Sequence, residues 1–421
     1  MTDTPVLFTG AAVFDGSEEL QTGSQVLVVD GRIAEISGAP IAAPPGCQVI
    51  DVAGRALLPG LIDAHVHCWL ADLDLAQAVQ RRDPYLAAFA FTTLGRMLDR
   101  GFTTVRDAGG TEVGYALALE AGFARGPKLL HTGRFLSQTG GHFDVRTSGS
   151  FQAPCGCGGH DQGAARFAAI VDGVDEMRRA VREELRKGAR QVKLMASGGV
   201  ASPTDPLDRM QFSDDEIRTA VEEAERRGAY VMAHCHPASS IERCARLGVR
   251  SIEHGSFMND RAAEAVAAAG AYVVPTMATV WALLEEGKRQ GLPAASQRKA
   301  EELAEGVLAG LHTMRSHGLR IGFGTDLLGP QQDRQATEFA LRAQVFTPVE
   351  ILRSATSINA EILGLTDRGQ VAEGFAADLI VVDGNPLRDP GVLGDPDGGS
   401  VEVVMRDGVI VKQTGFLAAG R

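Results

Sequence analysis

Apolar stretches alternate with amphipathic stretches through most of this chain. Segments 172–187 and 213–227 space their apolar residues three and four positions apart, which predicts helices, and Ser213 with Glu216 predicts a capping box at the start of the second. Eight apolar stretches are predicted strands: LIDAHVH, FTTVRD, KLLHTGRF, QVKLMA, AYVMAH, SIEH, AYVVPT and RIGFGTD. Strand–helix units repeated eight times predict an α/β chain whose parallel strands close into a (β/α)8 TIM barrel over residues 61–360.

The two ends of the chain have a different pattern. Residues 1–60 contain VLFTGAAVFDG, SQVLVVDGRIAEI and CQVIDVAGRALLPG, and residues 361–421 contain DLIVVDG and VEVVMRDGVIVKQ. Alternating β-branched residues separated by Asp-Gly turns are typical of antiparallel strands. We therefore expect residues 1–60 and 361–421 to combine into one small β-sandwich domain beside the barrel domain.

Six residues that could bind metal stand at or near the carboxyl ends of the predicted strands. They are His65, His67, Lys193, His234, His254 and Asp326. His65 and His67 are two positions apart in a strand, so their side chains point to the same face. The carboxyl ends of the strands form the active site of a TIM barrel. Six such residues are too many for one tetrahedral ion and suit two ions that share ligands.

Lys193 is the informative member of this set. An ammonium facing two cations would be repelled and desolvated, whereas a neutral amine that adds carbon dioxide gives a carbamate with two bridging oxygens. A lysine that extends out of the barrel or pairs with an acid is the alternative. In the carbamate interpretation, the ions are divided as follows: His65, His67 and Asp326 bind the more buried ion, His234 and His254 the more exposed one, and carboxylated Lys193 and a hydroxide bridge them.

This arrangement predicts the chemistry of a hydrolase. Two cations would lower the pKa of the bound water, and the exposed ion would polarise a substrate carbonyl. Asp326 would accept the proton of the hydroxide and deliver it to the leaving nitrogen. We expect two divalent ions, with zinc as the first choice, although this donor set also suits manganese or cobalt.

The motifs PGLIDAHVH, VKLMASGGV, AHCH, SIEHG and GTD, in this order, resemble the amidohydrolase superfamily in its binuclear branch with a carboxylated lysine. The resemblance covers nearly the whole chain. The segments FLSQTGGHFD, KLMASGGVASPTDP and IEHG are most similar to the group of Xaa-Pro and Xaa-Arg/Lys dipeptidases, N-acyl-amino-acid hydrolases and ochratoxin amidohydrolases. The resemblance implies a metal-dependent amidohydrolase of dipeptidase or carboxypeptidase type. Its substrates would be dipeptides or N-acyl amino acids, including ochratoxin-like aryl amides, cleaved by a metal-bridging hydroxide.

The resemblance also implies residues that contact the substrate. His142, after the third strand, and Tyr230, on the fifth, would contact the substrate's carbonyl or carboxylate, and His236 is a further candidate. Tyr230 could instead be core, and His142 could hold a Gly-rich loop. His131 stands where relatives are expected to carry a small residue.

Other residues near the strand ends could shape the substrate pocket. The apolar candidates are Val200, Met277, Trp281, Leu327 and Leu328. If they line the pocket, an aromatic or aliphatic group fits better than a cationic one, although Met277 and Leu327 could be core. The candidates for charged contacts are Arg146 and Arg209, for a substrate carboxylate, and Asp205 and Asp208, which leave a basic substrate open.

Composition limits the partners. The 421 residues are 44% hydrophobic and carry a net charge of -12, which argues against nucleic acid and anionic membranes as partners and favours a small-molecule amide substrate. We expect no signal peptide or membrane span, a cytoplasmic protein with reduced thiols, and, by analogy, a homo-oligomer. Cys155 and Cys157, near His160, are interpreted as part of a flexible Gly-rich loop rather than a metal site.

Three other functions stay open. A lactonase or esterase would share the binuclear site, and only a substrate assay separates it from an amidase. A deaminase on the same barrel usually works with one ion and without a bridging lysine, so Lys193 argues against it. A non-catalytic barrel would have lost ligands, whereas all six residues are present.

Overall fold

The computed structural model describes residues 4–146, 165–202 and 205–414. Its strands are β1 Val6–Val13, β2 Gln21–Val29, β3 Arg32–Ser37, β4 Gln48–Asp51, β5 Ala56–Pro59, β6 Leu61–Val66, β7 Phe102–Asp107, β8 Lys128–Leu130, β9 Phe135–Ser137, β10 Ala168–Ile170, β11 Val192–Met195, β12 Val231–Pro237, β13 Ser251–Phe257, β14 Tyr272–Val274, β15 Arg320–Ile321, β16 Leu379–Val382, β17 Val401–Arg406 and β18 Val409–Gln413.

The described α-helices lie mainly between the central strands. They are α1 Leu75–Ala78, α2 Asp83–Asp99, α3 Val113–Glu120, α4 Val174–Arg186, α5 Asp214–Glu225, α6 Ala238–Arg246, α7 Asp260–Ala269, α8 Met277–Glu286, α9 Ala294–Ser316, α10 Thr337–Arg342, α11 Pro348–Arg353 and α12 Asn359–Ile362. Two 3-10 helices, Gly329–Arg334 and Pro390–Leu393, and a π-helical turn, Ser354–Ile358, complete the set. Within the described ranges, no helix combines the length and apolar character needed to cross a bilayer.

Strands from both ends of the chain share one eight-stranded sheet, as their common pattern predicts. β1 pairs antiparallel with β2 and parallel with β4 and β5, and β16 joins β5 with Leu379 opposite Pro59. Several strands are only partly buried, β2 and β18 among them, as is common where one face of an antiparallel sheet meets solvent. The domain boundaries at residues 60 and 361 stay a prediction.

The central strands pair in parallel, which confirms the α/β class. β6, β7 and β8 form one sheet, and β9 to β15 form another in the order β10-β9-β11-β12-β13-β14-β15. Backbone hydrogen bonds connect β6 to the chain that follows β15: Ala64 N donates to Phe323 O (2.9 Å), and Asp326 N donates to His65 O (2.8 Å). Every residue of β6, β7 and β11 is buried, as expected for parallel strands that are covered on both faces.

Local details differ from the sequence predictions. The stretch KLLHTGRF forms two strands, β8 and β9, because Gly133 (φ 74°) interrupts it with a left-handed conformation. The periodicity did not predict β10, which pairs in parallel with β9. The capping box is confirmed, since Ser213 and Glu216 each accept a hydrogen bond from the other's backbone N–H. Cys155, Cys157 and His160 lie outside the described residues.

Candidate metal centre

All six predicted metal ligands line one cavity, together with His142, His236, Val200 and Leu328. His65, Lys193, His234 and His254 lie on β6, β11, β12 and β13, and His67 and Asp326 follow β6 and β15. Neighbouring parallel strands direct their carboxyl ends to the same side, which brings together residues up to 261 positions apart.

Asp326 is the centre of one half of this cluster. Its Oδ1 lies 3.4 Å from His65 Nε2 and 3.3 Å from His67 Nε2, and its Oδ2 lies 3.9 Å from His254 Nδ1. Donor atoms of His65, His254 and Asp326 all lie within 4.8 Å of one another. His65 Nε2 is buried and has no hydrogen-bond partner among the described residues. An unpaired buried nitrogen costs about 1–3 kcal/mol, so this atom fits a metal ligand better than a structural one.

Two of these residues have unusual backbone conformations. His254 has φ 68° and Asp326 has φ 53°, values that cost non-glycine residues on the order of 1–3 kcal/mol. In a regular strand, Glu253 and His254 would point to opposite faces. Yet Glu253 bonds to His65 and His254 lines the cavity, so both consecutive side chains reach the interior. Such local strain is typical of functional sites.

A buried ion pair that was not predicted from the sequence supports His65. His65 Nδ1 lies 2.6 Å from Glu253 Oε2, and Glu253 Oε1 accepts hydrogen bonds from Arg106 Nη2 (2.8 Å) and Ser251 Oγ (2.5 Å). A carboxylate beside Nδ1 sets the tautomer that leaves Nε2 free to bind metal. Burial alone would raise the pKa of Glu253, but Arg106 and His65 lower it to about 2. The available signal in the sequence was the presence of Arg106 and Glu253 inside the predicted strands FTTVRD and SIEH.

The electrostatics of the other candidates favour neutral donors. Burial lowers the pKa of Lys193, although the charges of Glu253 and Asp326 oppose this shift. Burial and neighbouring histidines lower the pKa of His234 and His254 well below the usual range. Neutral imidazoles and a neutral amine are the forms that metal binding and carbamate formation require. The donor set therefore fits divalent metal ions.

His142 and His236 extend the cluster beyond the six candidates. The ring of His142 stacks on His234, with centroids 4.5 Å apart, and His142 Nδ1 lies 2.9 Å from Asp205 Oδ2. His236 lies 4.5 Å from the His234 ring and contacts Ser256 Oγ through Nδ1 (3.0 Å). Each of these two imidazoles thus has one polar partner and packs against the ring of the candidate ligand His234.

Tyr230 requires a correction, because it does not line the cavity. It directly precedes β12, at the amino end of the strand, whereas the cluster forms at the carboxyl ends. Its hydroxyl accepts a hydrogen bond from Arg106 Nη1 (3.3 Å). Tyr230 instead lines a separate surface cavity with Arg190 and Arg250.

Leu327 is also corrected. It is buried in a small apolar cluster with Ala278 and Ala282, and the next residue, Leu328, lines the cavity. Leu328 has an extended backbone, and consecutive residues of an extended chain point in opposite directions. Met277 belongs to the main core, as its alternative interpretation held, and Trp281 is not among the cavity-lining residues.

The charged candidates lie outside the cavity. Arg146 binds the carboxylate of Asp144 through Nε and Nη2 (2.7 and 2.6 Å). Arg209 is exposed and lies 3.5 Å from Asp208. His131 is buried away from the cavity, and burial lowers its pKa. Among the described lining residues, Lys193 is the only lysine or arginine and Asp326 the only acid.

Comparison with known proteins decides the family. The model of the Amidohydrolase family matches residues 56–411. The chain belongs to the amidohydrolase family. This confirms the resemblance seen in the sequence, and the protein is therefore a hydrolase acting on carbon–nitrogen bonds. Members of the family generally bind divalent metal ions, in agreement with the donor set of the cavity.

The relatives include proteins with named substrates. Ochratoxinase of Aspergillus niger is 32% identical over 371 residues, which cover 86% of this chain and 76% of that protein. A solved amidohydrolase structure has 44% identity and a TM-score of 0.93, covering 98% of this chain and 100% of its own. A prolidase complexed with N-methylphosphonate-L-proline has 42% identity and a TM-score of 0.94, with the same coverage.

Proposed function

We propose that this amidohydrolase is a binuclear metal-dependent enzyme that cleaves the amide bond of dipeptides or N-acyl amino acids with apolar side chains or acyl groups. One observation carries the proposal: a single cavity is lined by all six candidate ligands, two further histidines and an apolar wall. In this proposal the parallel strands form a (β/α)8 barrel, and the terminal sheet is folded as a β-sandwich.

Distances between neighbouring side chains support the proposed ligand assignment, in which His254 lies beside both groups because its Nδ1 is also 3.9 Å from Asp326 Oδ2. Asp326 is within 3.4 Å of both His65 and His67, which supports one shared ion for these three. The rings of His234 and His254 are 4.6 Å apart and support a second ion. Lys193, carboxylated, would bind both. Two bound divalent ions would supply Lewis acidity, which polarises the scissile carbonyl and lowers the pKa of water.

Asp326 is the proposed proton carrier. It is the one acid among the described lining residues, and its side chain is 20% exposed, so it can meet both water and substrate. Burial would raise its pKa, but His65 and His67 hold the pKa of Asp326 well below the usual range. As a carboxylate it can accept the proton of the attacking water and pass it to the leaving nitrogen. Without this proton the nitrogen would have to leave as an amide anion, which is a poor leaving group.

His142 and His236 are proposed to orient the substrate. Both line the cavity, and their rings stack on the candidate ligands His234 and His254. In each ring one nitrogen contacts a polar group of the protein. The other nitrogen of each ring is then available for the substrate's carbonyl or carboxylate. The role that the resemblance gave to His142 and Tyr230, with His236 as a further candidate, is thus proposed for His142 and His236.

The apolar wall supports the choice of substrate class. It includes Leu70, Leu75, Phe143, Met195, Val200, Val280, Leu283, Leu303 and Leu328. Burial of an aliphatic or aromatic side chain contributes about 1.5–3 kcal/mol, or roughly a 10- to 150-fold change in binding. A substrate arginine or lysine would find no acid to pair with among the described lining residues besides Asp326. The names ochratoxinase and prolidase of the relatives agree with such a preference.

The test combines metal analysis with a substrate panel. The panel contains Xaa-Pro dipeptides, Xaa-Arg and Xaa-Lys dipeptides, N-acyl amino acids, ochratoxin-like aryl amides and lactones. We expect about two ions per chain, loss of activity with a chelator, and amide cleavage with an apolar preference. Turnover of lactones alone would favour the lactonase alternative, and amide cleavage by metal-free protein would refute the proposal.

A further inference from the structure

The carboxylate of Asp205 is buried behind the cavity and does not line it. Asp205 lies ten residues after the end of β11 at Met195, and only 4% of its surface is exposed. Its Oδ2 lies 2.9 Å from His142 Nδ1 and also accepts a hydrogen bond from Gly199 N (3.0 Å). Its Oδ1 is buried without a hydrogen bond in the described structure, and Lys299 Nζ lies 3.6 Å from it. A buried carboxylate is costly unless it has a cationic or hydrogen-bonding partner.

Lys299 attaches this carboxylate to the helix α9. Its ammonium donates hydrogen bonds to the backbone oxygens of Gly199 (2.9 Å), Ser202 (2.7 Å) and Asp205. Three bonds from one ammonium use its full donor capacity. All three acceptors belong to the segment that follows β11. Lys299 therefore fixes the backbone of this segment at Asp205 itself and at two residues before it. Its side chain is 14% exposed, so these bonds are shielded from solvent.

The ring of His142 has little freedom to turn. A Cβ on Gly199 would come within 2.4 Å of His142 Cε1 and 2.8 Å of His234 Nε2, so the ring lies directly against the backbone of Gly199. His142 N donates to Gln211 Oε1 (2.8 Å), which also holds the backbone. The ring also stacks on His234. The hydrogen bond to Asp205 then selects which ring nitrogen faces the protein.

We propose that Asp205 and Lys299 are positioning residues for His142. Asp205 accepts the hydrogen of Nδ1, which leaves Nε2 as the nitrogen available to the substrate, and Lys299 keeps Asp205 in place. Oriented imidazoles commonly depend on such a carboxylate partner. The effect on catalysis rests on the proposed function, whereas the hydrogen bond can be tested without it.

The kinetic test uses a double-mutant cycle. Asp205→Asn preserves shape but removes the charge, and we expect kcat/KM for the best amide substrate to fall about 10- to 100-fold with metal content unchanged. Lys299→Met should also lower kcat/KM, and Lys299→Arg should recover part of this loss because it keeps a cation. In a His142→Gln background, Asp205→Asn should cost no further activity. Additive losses in the double variant would refute the positioning role.

Two matched controls and one spectroscopic measurement separate positioning from general damage. Asp208→Asn removes a 70% exposed acid of the same segment, and Lys288→Met removes an exposed lysine, so both should leave kcat/KM unchanged. In protein with ¹⁵N-labelled histidine, the signal that His142→Gln removes should show a protonated Nδ1, and Asp205→Asn should shift or abolish it. An unchanged signal in Asp205→Asn would refute the proposal even if no amide substrate is found.

Discussion

Glu253→Gln is the most informative single substitution in the interior, because this fully buried carboxylate bonds to His65, Arg106 and Ser251. Its oxygens lie 2.6 Å from His65 Nδ1 and 2.8 Å from Arg106 Nη2, and the side chains of all three residues are 0% exposed. Glutamine has nearly the same shape but only one acceptor oxygen. Either Arg106 or His65 must then face an amide N–H, and the charge of Arg106 is left unpaired.

The expected loss has two parts. Breaking one side of a buried ion pair costs about 3–5 kcal/mol of unfolding free energy, since the remaining charge is uncompensated. Losing the carboxylate that holds a metal-binding histidine lowers metal affinity about 10- to 100-fold, or about 1.4–2.8 kcal/mol. The first part should appear in metal-free protein, and the second only when metal is present.

The assay is therefore urea unfolding with and without a chelator, together with metal titration. Arg106→Met combined with Glu253→Gln should regain much of the stability but not the metal affinity, because the unpaired charge is gone while His65 still lacks its partner. Glu184→Gln is the control, since Glu184 is equally buried and pairs with Arg134 (2.8 Å) away from the cavity. A Glu253→Gln protein within about 0.5 kcal/mol of the wild type, with normal metal affinity, would refute this reasoning.

Three further predictions concern other parts of the molecule. Lys193→Ala should lose metal and amidase activity together, with partial rescue by short carboxylic acids, and full activity would exclude a bridging role. Burial raises the pKa of Glu338, which pairs with Arg342 (2.7 Å), from 4.5 to about 7. Its stabilisation is thus complete below pH 4.5 and lost as pH rises through about 7, so from pH 4.5 to pH 8 the unfolding free energy of the wild type should fall by about 3 kcal/mol relative to that of Glu338→Gln. Leu328→Ala should widen the cavity and shift preference toward larger acyl groups, whereas Leu327→Ala should cost about 2–5 kcal/mol of stability without changing the substrate profile.

The sequence alone was sufficient to predict which candidate ligands lie together. Strand–helix alternation predicted parallel strands, and parallel strands bring their carboxyl ends to one side, so His65, Lys193 and Asp326 could be assigned to one place without coordinates. The capping box at Ser213 was predicted for the same kind of reason, because it depends on residues three positions apart. Local periodicity and the order of motifs carry this information.

Only the tertiary structure decided which way individual side chains point at the strand ends. The left-handed conformation at His254 brings it into the interior beside Glu253, while Leu327 turns away and Leu328 turns inward. The bonds of His142 to Asp205, and of Asp205 to Lys299, join residues 63 and 94 positions apart. Such contacts depend on backbone direction and on the packing of loops against helices, which a pattern of polar and apolar residues along one strand does not encode.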